Sequence, residues 1–251
     1  RKKVKKKIET IENRWDILYR DYPEVYDRFA SAEYKNGNIT ESINKMFRLK
    51  NKIVLDVDSG TGLSTIAIAK YAKFVYGVEP EGAIRKIAIE KAREKGAVNV
   101  RFLDGRAENM PLNAASVDMV TAITSVPVYH SRISERGELA RKFLQESTRV
   151  VKKGGHIVVV TIPPKWYGGE LAPVILGKSR KTEDNADEEA DMILRRLGFA
   201  YKDLFLVSSY KSLKEAVETY GFIFGKKAID YLVSHKKTSI KWKFRMNYMK
   251  V

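Results

Sequence analysis

The stretch Ile53-Val54-Leu55-Asp56-Val57-Asp58-Ser59-Gly60-Thr61-Gly62 decides the reading of this chain. An apolar, β-rich run ends in an acid and passes into a small turn with two glycines. An apolar periodic segment, Leu63 to Tyr71, follows. The pattern is strand, tight turn, helix, the opening of an α/β unit. Gly60 and Gly62 allow positive φ and let a ligand approach without meeting a Cβ. The helix N-terminus points free N–H groups over the turn, so the stretch reads as a nucleotide-type cofactor site.

Working outward, Lys73-Phe74-Val75-Tyr76-Gly77-Val78 reads as a second strand, ending in Glu79-Pro80. An acid there can accept both hydroxyls of a ribose. NAD and S-adenosylmethionine (SAM) both meet these conditions. A dinucleotide fingerprint wants a third small residue three positions after Gly62, where this chain has Thr65. Asp56 is also poorly suited to sit beside a pyrophosphate. SAM has no phosphate, and the ammonium at its amino-acid end attracts an acid, so the electrostatics favour SAM.

Five segments in order carry a resemblance to a known family. They are Leu55 to Gly62, Gly77-Val78-Glu79-Pro80, Val100 to Leu112, Ser116 to Val120, and Arg149 to Val160. Over about residues 50 to 162 the chain resembles the class I SAM-dependent methyltransferases, whose first motif is strand-acid-x-Gly-x-Gly-x-Gly. Asp58 stands where that motif has its first glycine. Asp tolerates positive φ better than most residues. Its carboxylate either meets the SAM ammonium or repels the SAM carboxylate.

The resemblance implies a doubly wound α/β fold, Rossmann-like, with a seven-stranded, mostly parallel sheet. The seventh strand is implied to be antiparallel and inserted beside the sixth. It implies a cofactor site built from Asp56, Asp58, Ser59, Gly60, Gly62, Glu79 and Pro80. On the adenine side it implies Arg106, Ala107 and Glu108, with Asp104 as a competing candidate, and Ser125 at the exit of strand four. Asp118 reads as an anchor for the turn before strand four. Catalytic candidates come from Ser125-Val126-Pro127-Val128-Tyr129-His130, where the family places substrate-side residues. His130 has the pKa range of a general base, and reads equally as a surface-loop histidine. Tyr129, Trp166 and Tyr19 are candidate pocket walls. Methyl transfer is a displacement at carbon with a thioether leaving group, so it needs alignment more than strong acids or metals.

Strands are expected near 52–57, 74–78, 99–103, 117–123 and 156–161, and helices near 63–71, 81–95 and 134–148. Residues 1–50 read as a helical cover, with one helix over 4–35 interrupted at Pro23 and another from Thr40, as N-cap, to Leu49. Residues 51–251 read as the cofactor domain. Thr161 to Gly169 is a loop by its Pro and Gly content. A helix opens over Glu183 to Asp191. Asp203 to Ser209 reads as strand six, and the alternation from Ser239 to Tyr248 as strand seven. A helical insertion at about 210–236 separates them.

The chain has 251 residues, 44% hydrophobic, without cysteine, which excludes disulfides and thiolate chemistry. Three histidines make a structural zinc improbable. No apolar run approaches the roughly 18 residues of a membrane span, so a cytoplasmic protein without membrane contact is the expectation. The net charge is +16 and the pI about 9.7. This fits a Lys-rich proteome or a polyanionic partner such as RNA. The expected acceptor is a small molecule, with RNA, a degenerate SAM-binding module and a dehydrogenase as rivals. Oligomeric state is not legible.

Overall fold

The structure, a computed structural model, describes residues 9–34, 38–125, 128–129 and 133–251. It begins with helices α1 (Trp15–Asp21), α2 (Pro23–Tyr34) and α3 (Asn38–Phe47). The alternating core follows: β1 (Ile53–Val57), α4 (Leu63–Ala69), β2 (Phe74–Val78), α5 (Gly82–Glu94), β3 (Val100–Leu103), β4 (Val117–Ile123), α6 (Arg136–Val150) and β5 (Val151–Thr161). Then come α7 (Ala172–Leu176), α8 (Ala186–Arg196), β6 (Ala200–Ser209), α9 (Leu213–Ala216), α10 (Phe222–Phe224), α11 (Lys226–Ser234) and β7 (Ser239–Lys250).

The seven strands form one sheet in the order β3-β2-β1-β4-β5-β7-β6. β1 to β5 pair in parallel, and β7 runs antiparallel to both β5 and β6. The order reverses between β1 and β4, so ligands are expected beyond the carboxyl ends of those two strands. The central strands are buried almost throughout, as parallel strands covered on both faces must be.

Several expectations are corrected. The long N-terminal helix is two, because Tyr22 leaves the helical region and Pro23 restarts it at the first helical position, where its missing N–H costs nothing. Thr40 is not an N-cap: α3 begins at Asn38 and Thr40 is buried within it. β5 starts at Val151, five residues before the expected point, across a register shift opposite Val117 and Met119. The segment after the Thr161–Gly169 loop contains the short helix α7, for which the sequence reading made no assignment. Between α9 and α10 the chain makes a wider turn of π type, Val217–Gly221.

The N-terminal segment is tied to the insertion between β6 and β7. Ile11 N–H donates to Phe222 O at 3.0 Å and Asn13 N–H to Ile223 O at 2.7 Å. The Trp15 indole donates to the Tyr167 hydroxyl at 2.7 Å, which donates to Asn13 Oδ1 at 2.9 Å. The Asp27 carboxylate accepts from Thr61 in the glycine turn and from Lys91 on α5. Those bonds hold α2 above the turn. None of the helices among the described residues is long and apolar enough to cross a membrane.

Of the basic residues Lys236, Lys237, Lys241, Lys243 and Arg245 on and before β7, three are held in ion pairs. Arg245 reaches Asp203 at 2.8 Å and Asp191 at 2.9 Å, and Lys243 reaches Asp203 at 2.8 Å. Lys237 pairs with Glu170 at 3.2 Å. These cations serve the fold's outer face.

Candidate active site

A cavity of about 1090 Å³ opens over the β1–α4 turn and extends beneath α1, α2 and the insertion. At the turn Asp58 has φ 53°, Gly60 φ 53° and Gly62 φ 84°. The positive φ at Asp58 is the reason the family's glycine position matters, and Asp meets it. A Cβ on Gly60 would stand in open space, whereas one on Gly62 would come within 2.8 Å of the Phe102 ring and 3.0 Å of Ala88 Cβ. The two glycines therefore do different work: Gly60 clears the cavity, and Gly62 lets α4 pack closely on its neighbours.

Glu79, at the end of β2, is buried and lines the cavity. Its two oxygens accept the Gly60 N–H at 3.0 Å and the Glu81 N–H at 2.9 Å. Each oxygen keeps a further lone pair for a hydroxyl. Burial raises its pKa against those two hydrogen bonds. Asp58 and Ser59 line the same wall, and Asp58 Oδ2 and Ser59 Oγ are buried without a hydrogen-bond partner. Buried polar atoms without partners are costly. A ligand ammonium and carboxylate set against the turn would supply what they lack. Burial, and then the Glu79, Glu108 and Asp56 carboxylates, push the Asp58 carboxyl well above its usual range.

Asp56 is placed differently from the expected cofactor contact. It lies below the turn, buried, and is outside the cavity lining. Its carboxylate accepts three hydroxyls: Ser64 at 2.6 Å, Thr65 at 2.7 Å and Thr121 at 2.8 Å. Thr121 faces it because the β1–β4 register sets the two side by side. The Thr65 that departs from a dinucleotide fingerprint is one of these partners.

The adenine-side residues also fall outside the lining. Asp104 is exposed and pairs with Arg85 at 3.4 Å. Arg106 bridges to Asn109, Ala107 is buried in the core, and Glu108 stands beside them. Pro80 offers its carbonyl to Arg85. Ile84, which sequence reasoning passed over, lines the cavity on that side. Asp118 accepts the Ile53 N–H at 2.8 Å, the structural part expected of it.

Ser125 and Tyr129 line the cavity beyond β4, and His130 lies outside the described residues. The Tyr129 hydroxyl accepts the Ile162 N–H at 2.9 Å. Burial, and then the neighbouring Asp187 carboxylate, hold its phenol far above its ordinary pKa. A phenol kept protonated in this way is a wall and a hydrogen-bond donor rather than a base. Tyr19 and Tyr167 are also in the wall, and Trp166 packs outside it against Phe205.

Two carboxyls that the sequence reading did not single out face the same space. Glu33 on α2 and Asp187 on α8 are both buried, and burial pushes each up to about 8. A signal for Glu33 was present: Tyr26, Phe29, Ala30 and Glu33 share one helical face, so an acid stood on an apolar stripe.

Comparisons with known proteins agree with this geometry. Residues 55–159 match a family profile described as a methyltransferase domain. An uncharacterised methyltransferase of Geobacillus sp. (strain WCH70) is 30% identical over 146 residues, covering 56% of this chain and 64% of that protein. The demethylmenaquinone methyltransferase of the same strain is 27% identical over 158 residues, covering 61% and 62%. The chain thus spans less than two thirds of the length of either relative. The crystal structure of a SAM-dependent methyltransferase from Aquifex aeolicus shares the fold, with a TM-score of 0.55 over 91% of this chain and 98% of that one at 19% identity. Motif block, sheet order and relatives converge: over residues 55–159 the chain is similar to a methyltransferase domain, on the fold of the class I, Rossmann-like, SAM-dependent enzymes.

Proposed function

We propose that this protein transfers a methyl group from SAM to a small molecule bound in the same cavity. The observation that carries the reading is the continuity of that cavity from the glycine turn into a chamber walled by α1, α2 and the insertion. Pockets for single small ligands measure about 300–1,000 Å³, so a cavity of about 1090 Å³ lies above that range and suits a cofactor with an acceptor beside it.

In this reading Glu79 receives the ribose hydroxyls, and the Gly60 backbone lies against the cofactor. Asp58 and Ser59 meet its amino-acid end, and Ile84 packs on the ring side. Asp56 acts at one remove by fixing the turn. SAM supplies an activated methyl on a sulfonium whose departure leaves a neutral thioether. The protein's task is to hold acceptor, methyl carbon and sulfur in line and to exclude water, which is worth several kcal/mol by orientation alone. Ser125 and Tyr129 stand on the acceptor side.

RNA as acceptor finds less support, since Lys243 and Arg245 on β7 are paired with carboxylates and the cavity wall is acidic. The test is titration calorimetry with SAM and S-adenosylhomocysteine, followed by transfer of labelled methyl to small-molecule and RNA pools. Submicromolar to micromolar binding with label in a small molecule is the expected result. NAD binding in place of SAM, or label in one nucleotide, would overturn it.

A further inference from the structure

The protein carries a net charge of +16, yet eight carboxylates line its cavity against three cationic side chains. Those three are Arg14, Arg136 and Lys181. Arg14 is taken by Asp16 at 2.8 Å, and Arg136 by Glu189 at 2.7 Å and Asp184 at 3.0 Å. Of the other acids, Glu79 and Asp58 stand at the cofactor turn, and Asp187 lies beside the Tyr129 phenol. Glu33 remains. It is 7% exposed, faces the cavity, and receives no hydrogen bond and no cation among the described residues. The titratable groups that bear on it are the phenols of Tyr19 and Tyr210.

The surroundings of Glu33 are aromatic. On its own helix Tyr26 and Phe29 share its face, and the Tyr19 ring lies tilted against Tyr26 at 4.5 Å. Phe29 meets Trp15 at 5.6 Å and Trp242 at 6.0 Å, and Phe224 meets Tyr167 at 5.5 Å. All of these rings line the cavity. An unpaired carboxyl buried among aromatic faces is costly unless a cation occupies the site, and ring faces attract cations by their quadrupole. Tyr19, Glu33 and Glu79 line the same cavity.

We propose that the methyl acceptor is an organic amine, recognised as its ammonium by Glu33 within this ring of aromatic side chains. The inference rests on the methyltransferase reading above and names its substrate class. The ammonium gives a proton to the Glu33 carboxylate. The freed nitrogen lone pair forms the new N–C bond as the C–S bond of SAM breaks with its electron pair going to sulfur. The products are the methylated ammonium and S-adenosylhomocysteine, and the proton leaves Glu33 for solvent. The raised pKa of this carboxyl suits a group that must take a proton from an amine and return it.

The test uses the full chain saturated with S-adenosylhomocysteine and a set of arylalkylamines, from benzylamine to tryptamine, each matched with its neutral alcohol. Calorimetry should show at least one amine bound at least tenfold more tightly than its alcohol, and labelled SAM should transfer methyl to its nitrogen. Glu33→Gln, an isosteric change, should lose that preference at least tenfold while S-adenosylhomocysteine affinity stays within about twofold. Glu33→Asp should restore part of it, which a merely structural role for the side chain would not give. No amine preferred over its alcohol, or an unchanged preference in E33Q, overturns the amine assignment and leaves the methyltransferase reading intact. Failure of the wild type to bind S-adenosylhomocysteine overturns that reading and the amine assignment together.

Discussion

Glu79 Oε2 accepts the Gly60 amide at 3.0 Å, so the carboxyl end of β2 is fastened directly to the turn that leaves β1. The bond fixes the spacing between the acid proposed for the ribose and the backbone proposed to face the cofactor. Glu79→Ala should weaken SAM at least tenfold, roughly one lost charge-assisted hydrogen bond of about 1.5–3 kcal/mol. Titration calorimetry on wild type and variant measures it. Unchanged affinity would remove Glu79 from the site.

The two glycines should fail in opposite ways. Gly62→Ala combines positive φ with a Cβ at 2.8 Å from Phe102, so it should cost roughly 2–4 kcal/mol of stability. Gly60→Ala meets nothing, so its cost should be the backbone strain alone, about 1–2 kcal/mol. Its methyl enters the cavity, however, and SAM affinity should fall more than in Gly62→Ala. Urea unfolding and calorimetry on both proteins check the crossover. A common ranking in both measurements would contradict it.

Asp56 is expected to govern stability before it governs binding. Asp56→Ala strands the buried hydroxyls of Thr65 and Thr121 and the half-buried one of Ser64 and should destabilise the protein by about 3 kcal/mol, while Ser64→Ala, which removes one of the three bonds, should cost about 1. Denaturant midpoints decide this. Equal losses in the two variants would show that the carboxylate is not the centre of the network.

What was legible in the sequence follows period and backbone chemistry. The strand at 53–57, the Gly turn and the acid ending β2 announce themselves because parallel buried strands read as apolar runs and positive φ selects Gly or Asp. Placement of side chains was less legible. Asp56 looked like a ligand contact, but the hydroxyls that occupy it come from 8, 9 and 65 residues away. Glu33 was passed over although it stands on the apolar stripe of Tyr26, Phe29 and Ala30, whereas Asp187 sits in an acidic run, Glu183 to Asp191, that does not mark which acid is buried. The break at Pro23 was legible from the proline itself, but the early start of β5 is set by its pairing with β4 rather than by local pattern.

Stability of the ligand-free protein should fall as pH rises. The folded carboxyls of Glu33 and Asp187 titrate at about 8, above their ordinary values of 4.5 and 3.8. Between those limits the folded state holds protons that the unfolded chain has released, so unfolding gains with each pH unit up to the folded pKa. The loss from pH 6 to 9 should reach roughly 2–3 kcal/mol for each carboxyl, several degrees in Tm. Glu33→Gln should flatten its share of the slope. Thermal melts across this range test it, and a pH-independent midpoint would place these carboxyls in ordinary solvent.

The charge of the chain gives a final prediction, about RNA. Lys243 and Arg245 face Asp203 and Asp191, and ion pairs this close leave little field for phosphates. Arg245→Gln should therefore lower stability, by about 1 kcal/mol or more for a partly buried pair, and leave tRNA affinity unchanged. Any residual binding belongs to the six basic residues of Arg1 to Lys7, which lie outside the described residues. It should be weak at physiological salt and fall steeply as salt rises, through loss of counterion release. Replacing those lysines by glutamine should reduce the salt slope. Filter binding of tRNA from low to physiological salt gives both quantities. Saturable binding at physiological salt that Arg245→Gln abolishes would make β7 a nucleic-acid surface and reopen RNA as the acceptor.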